Sequence, residues 1–186
     1  MVSSKKIVIN DLGQIVSIYR KVHLFDIDIP NGPCIKESQG TVPGEQIMPP
    51  IDTPAGKLGL CICYDLRFPE QSALLRRSGA ELISYPSAFT IKTGIAHWEV
   101  LLKARAIETQ TFVIAAAQVG IHNSKRSSYG HSLVIDPWGN ILAACKEEEN
   151  HIVNTEIDLE LLNNTRRQMP IEDHKRLLVY NKVASD

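Results

Sequence analysis

The stretch "KLGLCICYDLRFPEQSALLRRSGA", residues 57–80, decides the fold. It opens with a nearly continuous apolar run, which is typical of a strand buried on both faces. Pro69 then stands where the first turn of a helix tolerates proline, and Gly79 stands where a helix commonly ends. The stretch therefore predicts a buried strand, a turn and a helix, with Cys63 as the last residue of the strand.

The flanking sequence extends this unit into an α/β pattern. Two β-branched runs around Gly13 predict a hairpin that ends near Lys21, and the frequent prolines and glycines of residues 23–56 predict a long ordered loop with short extended pieces. Further along, the periodicity predicts a strand, a helix, a strand and a hairpin, in residues 81–89, 96–110, 111–120 and 131–145. We expect the tail, about residues 160–186, to be weakly helical and peripheral.

Bulk composition narrows the class of protein. A chain of 186 residues that is 44% apolar and 22% charged can bury one substantial core, so residues 1–186 are expected to form a single domain. Twenty basic residues nearly cancel 21 acidic ones, which predicts no nucleic-acid or membrane partner. No apolar run approaches the roughly 20 residues that span a bilayer. The expected partners are small molecules or proteins.

The cysteines indicate a reducing compartment. Four of them are scattered through a chain of ordinary size, and the first residues lack the apolar core of a signal peptide. We therefore expect a cytoplasmic protein with free thiols. A metal site at Cys61 and Cys63 is disfavoured, because neither Cys34 nor Cys145 supplies a second pair at zinc-ligand spacing.

Cys63 has two interpretations. A cysteine between a buried strand and a helix can act as a nucleophile, because a helix N-terminus favours the thiolate. Most unpaired cysteines simply fill core volume, and Cys61 is expected to be one of these. Lys21 and Glu37 also have ordinary interpretations as solvated surface residues, and Arg105 and Glu108 as a helical ion pair. Composition and spacing alone leave these alternatives open.

Longer motifs carry a family resemblance. The segments "YRKVHLFD", "GKLGLCICYDLRFPE", "YPSAF", "HWEVLLKARAIETQTFVIAAAQ" and "YGHSLVIDPWGNILA" resemble, in order and separation, the nitrilase superfamily of carbon–nitrogen hydrolases. The similarity covers about residues 5–175. It is strongest to the branch that holds the deaminated-glutathione amidases and the nitrilase-like relatives of fragile histidine triad proteins. The resemblance implies an α-β-β-α four-layer sandwich.

The resemblance also implies roles for individual residues. Cys63 matches the nucleophile, Lys21 the lysine of a Glu-Lys-Cys triad, and Glu37 a second, supporting glutamate. The backbone N–H of Tyr64 would join Lys21 in holding the oxyanion. The residues that match bracing positions are Arg67, Glu70, Arg105 and Glu108.

The implied reaction is hydrolysis of a small acidic amide, similar to deaminated glutathione, through a thioester on Cys63 with release of ammonia. It needs neither a metal nor an organic cofactor. We expect the substrate pocket to be lined by Ser87, Ala88, Phe89, His97 and Trp98, with an acidic acyl chain favoured by Lys92, His122, Lys125 and Arg126.

One part of the family pattern has no match. The glutamate that acts as general base in the family comes from a segment before the "YRK" motif, and only a few residues precede the matched region here. The sequence therefore predicts an N-terminally truncated family domain with doubtful activity of its own. Homo-oligomers and association with a fragile histidine triad protein are expected by resemblance. The alternative is a noncatalytic module that binds a protein partner.

Overall fold

The computed structural model describes residues 2–28, 34–124, 126–146 and 151–183. The strands are β1 Lys5–Ile9, β2 Ile15–Arg20, β3 Asp26–Asp28, β4 Cys34–Lys36, β5 Ile51–Thr53, β6 Gly56–Leu60, β7 Leu82–Ser84, β8 Phe112–Ala115, β9 Val119–Asn123, β10 Arg126–Tyr129, β11 Leu133–Ile135 and β12 Ile141–Ala144. The helices are α1 Pro69–Arg77, α2 Ile91–Thr109, α3 Leu159–Gln168, α4 Ile171–His174 and α5 Leu177–Val183. Short 3₁₀ turns cover Glu37–Gln39 and Cys63–Arg67.

A six-stranded mixed sheet forms the centre of the fold. Its strand order is β12-β11-β8-β7-β6-β5, with β6, β7 and β8 parallel and the outer strands antiparallel. The α/β fold that the sequence predicts is confirmed. Within the described ranges, the other strands form two-stranded ladders, β1 with β2, β3 with β4 and β9 with β10, rather than the second full sheet of a four-layer sandwich.

Both faces of the sheet are covered, and β7 shows how. Ile83 points into the main core, where it joins Leu75 of α1 and Leu102 of α2. On the opposite face, Leu82 packs with Phe112 and with Leu162 of α3. The C-terminal tail is therefore not peripheral throughout, because the apolar stripe of α3 covers one face of the sheet.

After α1, the strands differ from the prediction in three places. The segment 111–120 is not one strand: β8 ends at Ala115, Ala117 makes an isolated bridge to Ser87, and β9 begins at Val119. The hairpin of β9 and β10 was not predicted, because its sequence is mostly polar and alternates weakly. Strand β7 stops at Ser84, two residues before Pro86, whose ring cannot donate to a ladder.

The hairpin of β1 and β2 contacts the sheet at the end of β7, where Lys6 Nζ lies 3.4 Å from Ser84 O. The opposite side of the hairpin carries Ile7 and Ile18, which lie directly across from each other and are 48% and 42% exposed. Among the described residues, no helix is both long and apolar enough to cross a bilayer.

Candidate active site

Cys63 lies three residues beyond the strand that was expected to contain it. Strand β6 ends at Leu60, and the chain stays beside β7 through hydrogen bonds from Cys61 N to Ser84 O (3.1 Å) and from Cys63 N to Pro86 O (3.0 Å). Cys63 then opens the 3₁₀ turn, so it does not stand at the N-terminus of α1, which begins at Pro69. The expected effect of the α1 N-terminus on the Cys63 thiol stays a prediction.

The backbone of Cys63 is strained. Its φ of 47° lies in the left-handed region, which costs a non-glycine residue roughly 1–2 kcal/mol. Such strain persists only where the surroundings enforce it, and it clusters at functional sites. No feature of the sequence revealed this conformation.

The four thiols differ in exposure. Cys61 is fully buried, and burial raises the pKa of its thiol well above the ordinary value. Cys145 is also buried, Cys34 is exposed, and Cys63 lies half-buried at the edge of the main core. Cys63 is therefore partly accessible to solvent and fixed in position, whereas Cys61 fills the core as expected.

Lys21 is not a surface lysine. Its side chain is 5% exposed and its Nζ lies 2.5 Å from Glu37 Oε2. The same carboxylate oxygen accepts a hydrogen bond from Phe25 N (2.7 Å), and the Lys21 backbone is held by Ser4 O (2.9 Å) and by Gly44 N (2.8 Å). The pairing satisfies a buried ammonium, which would otherwise be costly.

A buried carboxylate links the lysine segment to the cysteine turn. Asp65 is fully buried, and its Oδ2 accepts hydrogen bonds from the Tyr19 hydroxyl (2.7 Å) and Ile62 N (2.8 Å). Its Oδ1 accepts from His23 N (3.2 Å) and lies 2.8 Å from His23 Nδ1. Burial, followed by the charge of Asp65, raises the pKa of Tyr19 far above its ordinary value. Tyr19, His23 and Asp65 lie within the family motifs, but the sequence alone assigned them no role.

Two arginines restrain the 3₁₀ turn, Arg105 from α2 and Arg67 as the last residue of the turn itself. Arg105 is 5% exposed; its Nε donates to Leu66 O (3.0 Å) and its Nη1 to Glu108 Oε1 (2.6 Å). Arg67 lies over the rings of Tyr64 and Phe89, with its Cζ 5.9 and 5.5 Å from their centroids. A buried guanidinium bonded to a turn carbonyl restrains that turn.

The residues expected to line the pocket are unequal in exposure. Trp98 is buried in the core and donates its indole N–H to His131 O (2.7 Å), which indicates a packing role rather than substrate contact. Phe89 packs against Trp98, with ring centroids 4.8 Å apart. Ser87 is buried, Ala88 is half-buried and His97 is exposed, with its Nδ1 3.3 Å from Arg67 Nη2.

Glu70 and the basic residues lie at the surface. Glu70 is exposed in the first turn of α1, and its expected bracing role stays a prediction. Lys92, His122 and Arg126 are exposed on α2, β9 and β10, where their side chains are accessible to an anion. Lys125 lies outside the described residues.

Lys6 is a half-buried cation that sequence reasoning missed. Its Nζ contacts Ser84 Oγ and lies 3.4 Å from Ser84 O. Burial lowers the pKa of Lys6 from its ordinary 10.5 to about 8, against an opposing effect of Cys61. A lysine alternating with exposed isoleucines in β1 gives no sequence signal of burial.

The arrangement can support thiol chemistry. It combines a half-buried cysteine on a strained turn with a buried ammonium and two carboxylates, Glu37 on the ammonium and Asp65 inside the turn. Within the part of the chain that the structure describes, no group of three or more His, Cys, Asp and Glu side chains is placed to hold a metal ion.

Comparison with known proteins shows the family of the chain. The carbon-nitrogen hydrolase family model matches residues 2–167. Deaminated glutathione amidase from Bos taurus is 51% identical over 178 residues, which are 96% of this chain and 54% of the relative. The nitrilase and fragile histidine triad fusion protein NitFhit from Caenorhabditis elegans is 50% identical over 174 residues, 94% of this chain and 39% of the relative.

Solved structures give the same result. The crystal structure of the C. elegans NitFhit protein superposes with a TM-score of 0.87 at 49% identity, covering 94% of this chain and 42% of that one. A variant of the amidase from Nesterenkonia sp. AN1 superposes with a TM-score of 0.70 at 28% identity, covering 89% and 59%. The chain spans about half the length of the amidase relative that it matches. By its family match and its fold, the chain belongs to the carbon–nitrogen hydrolase family.

Proposed function

We propose that this chain carries the thiol half of an amidase site, in which Cys63 forms a thioester with the acyl part of a small amide. The observation that carries the proposal is the strained, half-buried Cys63 on a turn whose buried Asp65 is tied to the segment bearing Lys21. A nucleophile on a restrained turn between strand and helix is positioned before substrate arrives, which lowers the cost of reaching the attacking geometry.

The chemistry follows from the groups present. The Cys63 thiolate attacks the amide carbonyl, and the carbonyl oxygen becomes an oxyanion held by the Lys21 ammonium and the Tyr64 N–H. The C–N bond then breaks, the leaving nitrogen takes up through water the proton that the Cys63 thiol released on forming the thiolate, and a thioester remains on Cys63. Water cleaves the thioester to the acid and restores the thiol. Glu37 is assigned to hold the Lys21 charge in place, because it already accepts from Lys21 and Phe25 N.

The substrate class rests on the relatives. Proteins about half identical to this chain are named deaminated glutathione amidases. The Nesterenkonia amidase variant is described with the acetamide moiety of fluoroacetamide added covalently at its active-site cysteine. We therefore propose an acidic, glutathione-like amide as substrate. The amine released is ammonia from a primary amide and a peptide amine from a glutathione-like one.

The test is formation of the acyl enzyme. The full chain is incubated with deaminated glutathione, and intact-protein and peptide mass spectrometry locate the adduct, while chromatography follows the released amine. We expect an acyl adduct on Cys63 and at least one equivalent of amine per chain. Cys63→Ser should abolish the adduct and Cys34→Ser, at an exposed position, should not. An adduct that persists in Cys63→Ser would contradict the proposal.

We also propose a protein partner. The C. elegans relative is by name a fusion of a nitrilase and a fragile histidine triad protein. Domains that are fused in one organism can associate as separate chains in another. Co-purification of the chain with a fragile histidine triad protein tests this proposal. The first substitutions to test are those of Ile7 and Ile18 on the exposed face of the hairpin.

A further inference from the structure

We infer that Asp65 is a positioning residue, which fixes the Lys21 ammonium relative to the Cys63 thiol through Tyr19 and His23. The inference rests on the proposed function, since it concerns the two groups that the proposed reaction brings together. Asp65 takes no part in the ion pair of Lys21 with Glu37 or in the bond-making steps of the proposed reaction, so the inference gives it a separate role.

The first step is the geometry of the carboxylate. Each oxygen of Asp65 accepts hydrogen bonds from two donors, at 2.7 to 3.2 Å. Oδ2 accepts from Tyr19 Oη and Ile62 N, and Oδ1 accepts from the backbone N and the ring Nδ1 of His23. Both oxygens are thus occupied, and Asp65 is 0% exposed. A fully buried carboxylate with four donors holds its partners tightly, because every lost contact leaves a polar group unsatisfied.

The second step is where those donors lie in the chain. Tyr19 and His23 stand two residues before and two residues after Lys21, and Ile62 immediately precedes Cys63. One side chain therefore joins both flanks of the lysine to the start of the cysteine turn. Glu37 holds the tip of Lys21 but makes none of these contacts to the turn.

The third step is the way in which this network is anchored to the rest of the fold. The His23 ring stacks on Phe68, with centroids 3.7 Å apart, and Phe68 N donates to Asp65 O (3.0 Å). Gln71 of α1 donates to the Tyr19 hydroxyl (2.9 Å). The network is thus anchored to the turn and to α1, and a displacement of the lysine segment would have to break several of these contacts together.

The test uses the alkylation rate of Cys63 rather than turnover. In the full chain with Cys34→Ser, Cys63 is the accessible thiol, because Cys61 and Cys145 are buried. The proposed reaction places the Lys21 ammonium beside the Cys63 sulfur, so Lys21→Met should slow iodoacetamide labelling by on the order of tenfold. Asp65→Asn should slow it by a similar factor, because an amide cannot accept all four hydrogen bonds.

A double variant separates positioning from a general structural effect. If Asp65 acts through Lys21, Asp65→Asn combined with Lys21→Met should label no more slowly than Lys21→Met alone. His23→Phe keeps the stack on Phe68 but removes the Nδ1 donor to Asp65. It replaces Asp65→Asn in the labelling experiment if Asp65→Asn does not fold. His174→Phe, at an exposed position of α4, is the matched control and should label at the parent rate.

The outcomes distinguish the two claims. Slower labelling in both single variants, without further loss in the double variant, supports the positioning role. Normal labelling in Asp65→Asn and His23→Phe, or fully multiplicative losses in the double variant, overturns it while leaving the Lys21 and Cys63 site intact. An unchanged rate in Lys21→Met overturns the proposed site itself and the positioning role with it.

Discussion

Replacing Lys6 with Met should stabilise the chain near neutral pH and progressively less as pH rises. The pKa of Lys6 is lowered by burial from 10.5 to about 8 in the folded state. Between these two values the unfolded chain binds more protons than the folded one, so the free energy of unfolding of the parent chain increases with pH. Below about pH 8 the cost of burying the charge is present in full.

The magnitude follows from the two pKa values. At about 1.4 kcal/mol per unit, the full cost is about 3 kcal/mol, and the part recovered between pH 7.5 and 9.5 is about 2 kcal/mol before allowance for partial solvent screening. We therefore expect the stabilising effect of Lys6→Met to shrink by about 1–2 kcal/mol across that range. Ser84 Oγ retains a partner in the variant, because it also donates to Gly59 O.

The assay is urea unfolding at a series of pH values, followed by circular dichroism. Lys5→Met is the control, because Lys5 is the exposed neighbour of Lys6 in the same strand. Its difference from the parent should stay constant with pH. Parallel stability curves for the parent and Lys6→Met between pH 7.5 and 9.5 would refute the reasoning, because they would show that Lys6 keeps its ordinary pKa in the folded chain.

Three further predictions concern packing. Leu162→Ala should lower the free energy of unfolding by about 2–5 kcal/mol in denaturant titrations, because Leu162 is fully buried against the sheet; a loss below 1 kcal/mol would place α3 off the sheet. Gly94→Ala should lower it by about 1–3 kcal/mol, because a Cβ there would meet the Tyr129 side chain; an unchanged stability would exclude that contact. The chain should self-associate through the exposed hairpin face, and Ile7→Lys with Ile18→Lys should reduce this in light scattering, whereas a monomeric parent would contradict the expectation.

The candidate site shows where sequence reasoning stopped. The motifs indicated Cys63, Lys21 and Glu37; the structure pairs Lys21 with Glu37, and the catalytic roles of all three stay predictions. The network of Asp65 with Tyr19 and His23 was not predicted, although these residues lay in the quoted motifs. Their hydrogen bonds join positions 42 and 46 residues apart, and no local pattern encodes a contact of that range.

The sequence by itself determined the elements whose cause is local. The apolar run before Cys61 gave β6, Pro69 and Gly79 marked α1, and the β-branched runs around Gly13 gave the first hairpin, because strand burial, proline geometry and left-handed glycine are properties of a few adjacent residues. The tertiary structure alone decided the left-handed backbone of Cys63, the partial burial of Lys6 and the packing of α3 on the sheet. Each of these depends on which distant segment lies alongside, and that is settled only when the whole chain has packed.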